Sequence, residues 1–132
     1  MIGTAGKRVV RIAAEHADGW NSDTTPVAFD APHARLVARM QQLGRSAAEV
    51  TISLGANVNF PEDPATFVRE IPTFFPDYDF DQPVHGPTPE DAIESLRPYI
   101  DAGVTHFQIN PEDLRSLRIF ATEVAPVLGG NA

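Results

Sequence analysis

"MIGTAGKRVVRIAAEHADGWN", residues 1–21, is the stretch on which the fold turns. Ile2 to Gly6 is short, apolar and glycine-rich, and it runs into a helical pattern with no polar loop between. Val10, Ala13, Ala14 and Ala17 recur at the three-and-four spacing of one buried face, so a helix is expected over Lys7–Ala17. Asp18-Gly19 breaks it, and Trp20-Asn21 opens an extended segment. The opening turn therefore reads as the carboxyl end of a strand entering a helix, with a second strand after it. That order means parallel pairing through a right-handed crossover.

The pattern repeats downstream. A second helix is expected with Asp30 as N-cap, Pro32 in its first turn, and Leu36, Val37, Met40 and Leu43 as its stripe. Gly44 supplies the left-handed stop. Val50, Ile52 and Leu54 alternate with Thr51 and Ser53 as a strand. From about residue 55 to 87 regularity fails. One short helix is expected there, capped by Asp63, started by Pro64 and ending near Pro72. Phe74, Phe75, Tyr78 and Phe80 lie among prolines and aspartates, so the stretch reads as an irregular insertion or lid. Thr88-Pro89-Glu90-Asp91 starts another helix, interrupted by Pro98 and ended by Gly103. Val104–Ile109 reads as a strand. Asn110-Pro111-Glu112-Asp113 repeats the capping pattern before a last helix lined by Leu114, Leu117, Phe120, Ala121 and Val124.

Four strands alternating with helices suit an open doubly wound sheet or about half of an eight-stranded barrel, whose usual length is about 250 residues. The chain has 132 residues, enough for one domain with a core. Its net charge of −8 argues against general binding to nucleic acid or an anionic membrane surface. Lys7, Arg8 and Arg11 form the one compact basic cluster, read first as a solvated helix face. With no cysteine, disulfides and thiolate metal sites are excluded. The absence of a secretory pattern and of an apolar run of ~18 residues makes the cytoplasm the expected location.

Several candidates for chemistry follow. A strand ending in Gly3-Thr4-Ala5-Gly6 at a helix start gathers backbone N–H groups at the positive end of a helix dipole, a setting that suits phosphate. Lys7 and Arg8 stand one turn in. Trp20 and Asn21 end the next strand and are expected near the same mouth, Trp20 either as a contact to ligand or as core packing. His16, His33, His85 and His106 are spread too widely for a metal motif. His106 is read as a hydrogen-bonded structural residue, and His85 is the histidine expected nearest substrate. Asp77, Asp79 and Asp81 alternate like a calcium loop, but Gln82 and Pro83 stand where the glycine should follow, so calcium is rejected. No nucleophile–base set is discernible, and the catalytic residues are unassigned.

"IGTAGKRVVRIAAEHADGWN", "LGRSAAEVTIS", "GPTPEDAIESLRPYIDAGVTHFQI" and "LRSLRIFATEVAPVL" occur in this order. Together they resemble the luciferase-like monooxygenase family over most of the chain, apart from roughly residues 55 to 82. The resemblance implies the C-terminal half of a TIM (β/α)8 barrel, residues 1–132 forming a partial domain with the lid inserted at about 55–87. It implies a flavin- or coenzyme F420-dependent oxidoreductase, with F420 or FMN as cofactor and a small organic substrate. The cofactor phosphate would be held by Gly3, Thr4, Ala5 and Gly6, with Lys7 adding charge and Trp20 and Asn21 nearby. Thr4 stands where the family most often has a second glycine. The relatives' missing first half would lie upstream, so a homo-oligomer or a partner half-barrel is expected. Two other readings stay open: a non-catalytic half-barrel module, and an open α/β phosphate-binding domain.

Overall fold

The computed structural model describes residues 1–3, 6–22, 26–71 and 82–129. Two compact units are present, one made of Met1–Gly55 with Tyr99–Gln108 and the other of Ala56–Pro98 with Ile109–Ala132.

In the first unit, β1 (Ile2–Gly3) leads to α1 (Lys7–His16), β2 (Gly19–Ser22), α2 (Pro26–Gln42) and the start of β3 (Thr51–Val58). The pairing is parallel, with Ile2 opposite Trp20, Gly3 opposite Asn21, Asn21 opposite Ser53 and Ser22 opposite Leu54. The first strand, helix and second strand thus stand where the opening stretch puts them, to within a residue. Val10, Ala13 and Ala14 of α1 are buried, as are Leu36 and Met40 of α2, which packs on α1. Ile52 and Leu54 are buried on β3, and the alternation continues through Ala56 and Val58, four residues beyond the expected strand.

Helix α2 begins at Pro26 rather than after Asp30, which leaves Pro32 inside the helix. A proline there supplies no N–H to the preceding turn. Packing outweighs that loss, because Phe29 on the first turns is fully buried between Trp20, at 5.6 Å between ring centroids, and Tyr99, at 6.3 Å edge-on. The helix ends as expected: Gly44 is left-handed at φ +71°, and Arg45 N–H returns to the Met40 carbonyl.

The residues that follow have clear local work. Arg45 donates to the Ala14 and Ala17 carbonyls at 2.9 and 3.0 Å, so a guanidinium neutralises the negative end of α1. Ser46 and Glu49 form a reciprocal capping box around the 3-10 turn Ala47–Glu49.

The second unit contains the end of β3, a 3-10 turn at Pro64–Thr66, β4 (Glu70–Ile71), β5 (Gln82–His85), the start of α3 (Pro89–Asp101), and the end of β6 (His106–Pro111). The chain closes with α4 (Leu114–Ile119), a wider π turn at Phe120–Val124 and α5 (Ala125–Leu128). The short helix expected to reach Pro72 is only the turn capped by Asp63, whose carboxylate accepts from Ala65 N–H. Two strands occupy what the sequence pattern left irregular. β5 runs parallel to β3, Asn57 opposite Val84 and Val58 opposite His85, while β4 pairs antiparallel with β5. Phe74, Phe75, Tyr78, Phe80 and the three alternating aspartates lie outside the described residues.

Thr88 caps α3 as anticipated, its hydroxyl accepting from Asp91 N–H at 3.2 Å. The last helix is capped by Asp113 alone, since Asn110 and Pro111 belong to β6. Its buried stripe also differs: Ser116, Phe120 and Val124 are buried, whereas Leu114 and Leu117 are exposed. Ser116 holds the helix start by accepting from Phe60 N–H at 3.0 Å. β6 pairs with β3, Thr105 N–H donating to Ile52 carbonyl and Glu112 N–H to Val58 carbonyl, so both strands advance in one direction. The architecture is α/β, a parallel sheet with alternating helices.

Gly86 is where β5 meets the chain after β3. A Cβ there would lie 2.1 Å from the Asn59 carbonyl oxygen and 2.8 Å from the Phe67 ring. Backbone cannot yield like a side-chain tip, so Gly86→Ala is expected to destabilise the second unit by about 1–3 kcal/mol or more. Amide hydrogen exchange at Val84 and Asn59 reads this directly, and unchanged protection there would contradict it.

Candidate functional site

The parallel register brings Gly3 beside Asn21 at the carboxyl ends of β1 and β2. That is the end at which barrel enzymes carry their chemistry. Gly3 leads within a few residues to Gly6, the N-cap of α1. Helix geometry leaves the first-turn N–H groups without intrahelical acceptors. No side-chain cap is made by Gly6 and no acidic residue sits in this turn, while Lys7 and Arg8 are exposed beside it. Arg11 is exposed one turn on. Among the described residues, a Cβ built on Gly3 or Gly6 meets nothing within 4 Å, so they leave the approach to the backbone open. Thr4 and Ala5, the middle of the turn, lie outside the described residues. What surrounds them fits an anion: open backbone, a helix start and nearby cations.

Alternation along β2 separates the two residues proposed from sequence to flank this turn. Trp20 is fully buried against Phe29 on the helix side, so of its two readings it takes the packing one. Its ring has no exposed surface for a cofactor, which corrects its place among candidate cofactor contacts. Asn21 faces the opposite side and is half-buried. There Ser53 Oγ donates to Asn21 Oδ1 at 2.8 Å. Ser53 is itself completely buried, and sequence reasoning did not single it out. The available signal was a hydroxyl at a strand position in phase with Thr51.

The histidines do not converge. His16 is exposed, with a carboxylate oxygen of Glu15 3.9 Å from Nε2. His33 stacks on Phe29 at 5.2 Å, and burial pushes its imidazole below the usual value against the opposing pull of Asp30. His106 is exposed and bonded to the neighbouring Thr105 hydroxyl at 3.1 Å. His85 is buried, with Nδ1 2.8 Å from Ser95 Oγ, and so packs within the fold rather than facing a substrate. Among the described residues no group of three His, Cys, Asp or Glu could hold a metal. Nor is any helix among them long and apolar enough to cross a membrane.

A mainly apolar groove of about 520 Å³ opens in the first unit, lined by Leu36, Val37, Met40, Val50, Ile52 and His106 among others. It meets β3 and β6 at their amino ends, away from Gly3 and Asn21. The position argues for a gap in helix packing rather than the reaction site.

Solved structures carry this fold. A coenzyme F420-dependent tetrahydromethanopterin reductase from Methanopyrus kandleri superposes with a TM-score of 0.76 at 14% identity, over 96% of this chain and 50% of that one. The chain has the fold of half a TIM barrel. An EDTA monooxygenase from a Chelativorans species matches over 98% of this chain and 43% of its own, with TM-score 0.72 and 13% identity. An F420-dependent secondary alcohol dehydrogenase, solved with an F420-acetone adduct, gives 0.67 at 14% identity over 96% and 47%. The half-barrel therefore spans 50% or less of the length of each of these structures. No family model matches the sequence, and no curated protein does.

Proposed function

We propose that this chain is the C-terminal half of a luciferase-like, flavin-dependent oxidoreductase or monooxygenase, working in the cytoplasm on a small organic substrate. Its first turn would hold the phosphate of coenzyme F420 or FMN. The observation that carries the reading is the placement of Gly3 beside Asn21 at the strands' carboxyl ends, leading to an α1 start with no acidic side chain in its first turn. When bound, the coenzyme supplies hydride transfer or, as reduced FMN, oxygen activation; the protein positions it and excludes water. Backbone N–H groups around residues 3–6 hold the anion, Lys7 and Arg8 add positive potential, and Asn21 stands beside the turn. Trp20 supports the strand from below. The part of the stretch at about 55–87 that lies between β3 and β5 acts as the lid over substrate.

The test follows from the open space at the two glycines. Because a Cβ at Gly3 or Gly6 meets no neighbour within 4 Å among the described residues, valine there is expected to leave the melting temperature nearly unchanged. It should weaken FMN or F420 binding by tenfold or more, in this chain or in this chain joined to a relative's first half. Unchanged affinity in the Gly3→Val, Gly6→Val chain would remove the phosphate assignment.

A second reading has its own support. None of the residues of β6 is buried, and Leu114 and Leu117 are exposed. These features suit self-association or docking of a partner half-barrel, with or without flavin. Sedimentation together with flavin absorbance separates the two: a colourless dimer without flavin affinity supports a non-catalytic module.

A further inference from the structure

The sheet of the first unit has helices on one face and, on the other, a row of polar side chains leading away from the proposed phosphate turn. Gly3, Asn21 and Ser53 are in register on β1, β2 and β3. Gln108 of β6 continues the row, because its amide Nε2 and Ser53 Oγ both approach one atom, the Met1 sulfur, at 3.4 and 3.6 Å. Adjacent strands are about 4.8 Å apart, so the row runs about 14 Å from Gly3 to Gln108. Barrel interiors are ordinarily filled by bulky branched residues. This face instead presents an amide, a hydroxyl and a second amide. Beside them Gly19 offers no side chain, and the atoms nearest to a Cβ built there are those of Met1 and the Thr51 carbonyl oxygen, at 3.5 Å or more.

The proton count shows what the row lacks. Ser53 has one hydroxyl hydrogen, and the 2.8 Å bond to Asn21 Oδ1 takes it. The thioether is left as a contact for the hydroxyl and as a weak acceptor for Gln108. Met1 itself is 68% exposed, so it is held loosely where it lies. A carbonyl in place of that sulfur would accept from Gln108 Nε2, and a neighbouring N–H would donate to a lone pair of Ser53 Oγ. The glycine beside them leaves room for a flat ring to lie against the backbone.

We propose that Ser53 and Gln108, with Asn21 orienting Ser53, form a recognition site for the carbonyl/N–H edge of a neutral planar heterocycle, which displaces the Met1 side chain. The inference rests on the proposed function in that such an edge would belong to the ring end of the bound coenzyme, while the phosphate stays at residues 3–6.

The chain contains two methionines, Met1 on this face and Met40 buried in α2, so their labelled methyl carbons give two NMR signals. Lumichrome, a tricyclic dione without phosphate or sugar chain, is added to the full chain, and FMN and F420 to separate samples. Lumichrome is expected to move the Met1 methyl and leave Met40 in place. Gln108→Leu, at an exposed position, and Ser53→Ala should each weaken lumichrome about tenfold, with the Met40 signal reporting an intact fold. If FMN binds while lumichrome does not, or the variants bind lumichrome as tightly as the parent, this site is overturned and the coenzyme reading stands. If lumichrome binds through Ser53 and Gln108 but neither FMN nor F420 binds, the site stands and the coenzyme reading falls. If none of the three binds, both fall.

Discussion

Trp20→Ala is expected to lose about 3–5 kcal/mol of stability, the range for removing a large aromatic side chain from a packed core. The indole is fully buried, stacks at 30° to Phe29, and Phe29 in turn stands edge-on to Tyr99 and against His33. Its loss takes one wall from that cluster. Domains of this size have about 5–15 kcal/mol in total, so the variant will be marginal. Trp20 is the chain's sole tryptophan, and far-UV circular dichroism in urea must therefore replace fluorescence as the probe. Trp20→Phe keeps a ring in place and should recover a large part of the loss. The pair of variants also separates the two sequence readings of this residue. Under packing, flavin affinity follows the folded fraction and Trp20→Phe binds normally. A full loss of affinity in a folded Trp20→Phe chain would return Trp20 to the cofactor.

What could be read from sequence follows the reach of each signal. Helix ends were legible where caps are local: Gly44, Gly103 and Thr88 act within a few residues of themselves, whereas the last cap moved from Asn110 to Asp113 because β6 claims Asn110 and Pro111. The opening strand was legible because the glycine turn and the helix stripe are adjacent in the chain. The start of α2 was misplaced because Pro32 has a strong local preference, which the burial of Phe29 overrides from Trp20 and Tyr99, distant in sequence. β4 and β5 were missed because both are short and β5 contains Pro83. Their identity comes from pairing with each other and with β3 rather than from alternation. Arg45 shows the same limit at a side chain: it lies in the segment LGRSAAEVTIS, but only the fold puts it on the Ala14 and Ala17 carbonyls. At the candidate site, Gly3 and Gly6 could be placed at a strand end and a helix start from adjacent residues, and Ser53 could not, since its place beside Asn21 is a matter of cross-strand register.

The second large effect is a loss of stability in mild acid, and it comes from His85. Ser95 Oγ donates its one hydrogen to the Ala92 carbonyl at 3.1 Å, so it must accept from His85 at 2.8 Å. That assigns the ring proton to Nδ1. The imidazole is 3% exposed, and burial drives its pKa down to about 4, against about 6.5 in an unfolded chain. Between those values the unfolded chain takes up a proton that the folded one refuses. Stability from this group is therefore complete above about pH 6.5, declines as pH falls, and is gone by about pH 4. The total is on the order of 3 kcal/mol, at no more than about 1.4 kcal/mol per pH unit. Three carboxylates act later. The Arg39 guanidinium holds Glu15 below the usual range, the Ser46 N–H holds Glu49, and the Ser116 N–H holds Asp113, so their contributions fade only at lower pH. His33 acts in the same direction as His85 but is only half-buried. Urea titrations at pH 7, 6 and 5 should show a steep fall for the parent chain and a shallower one for His85→Gln. Parallel curves for the two would show that the buried ring does not resist protonation, and would move the acid sensitivity to His33.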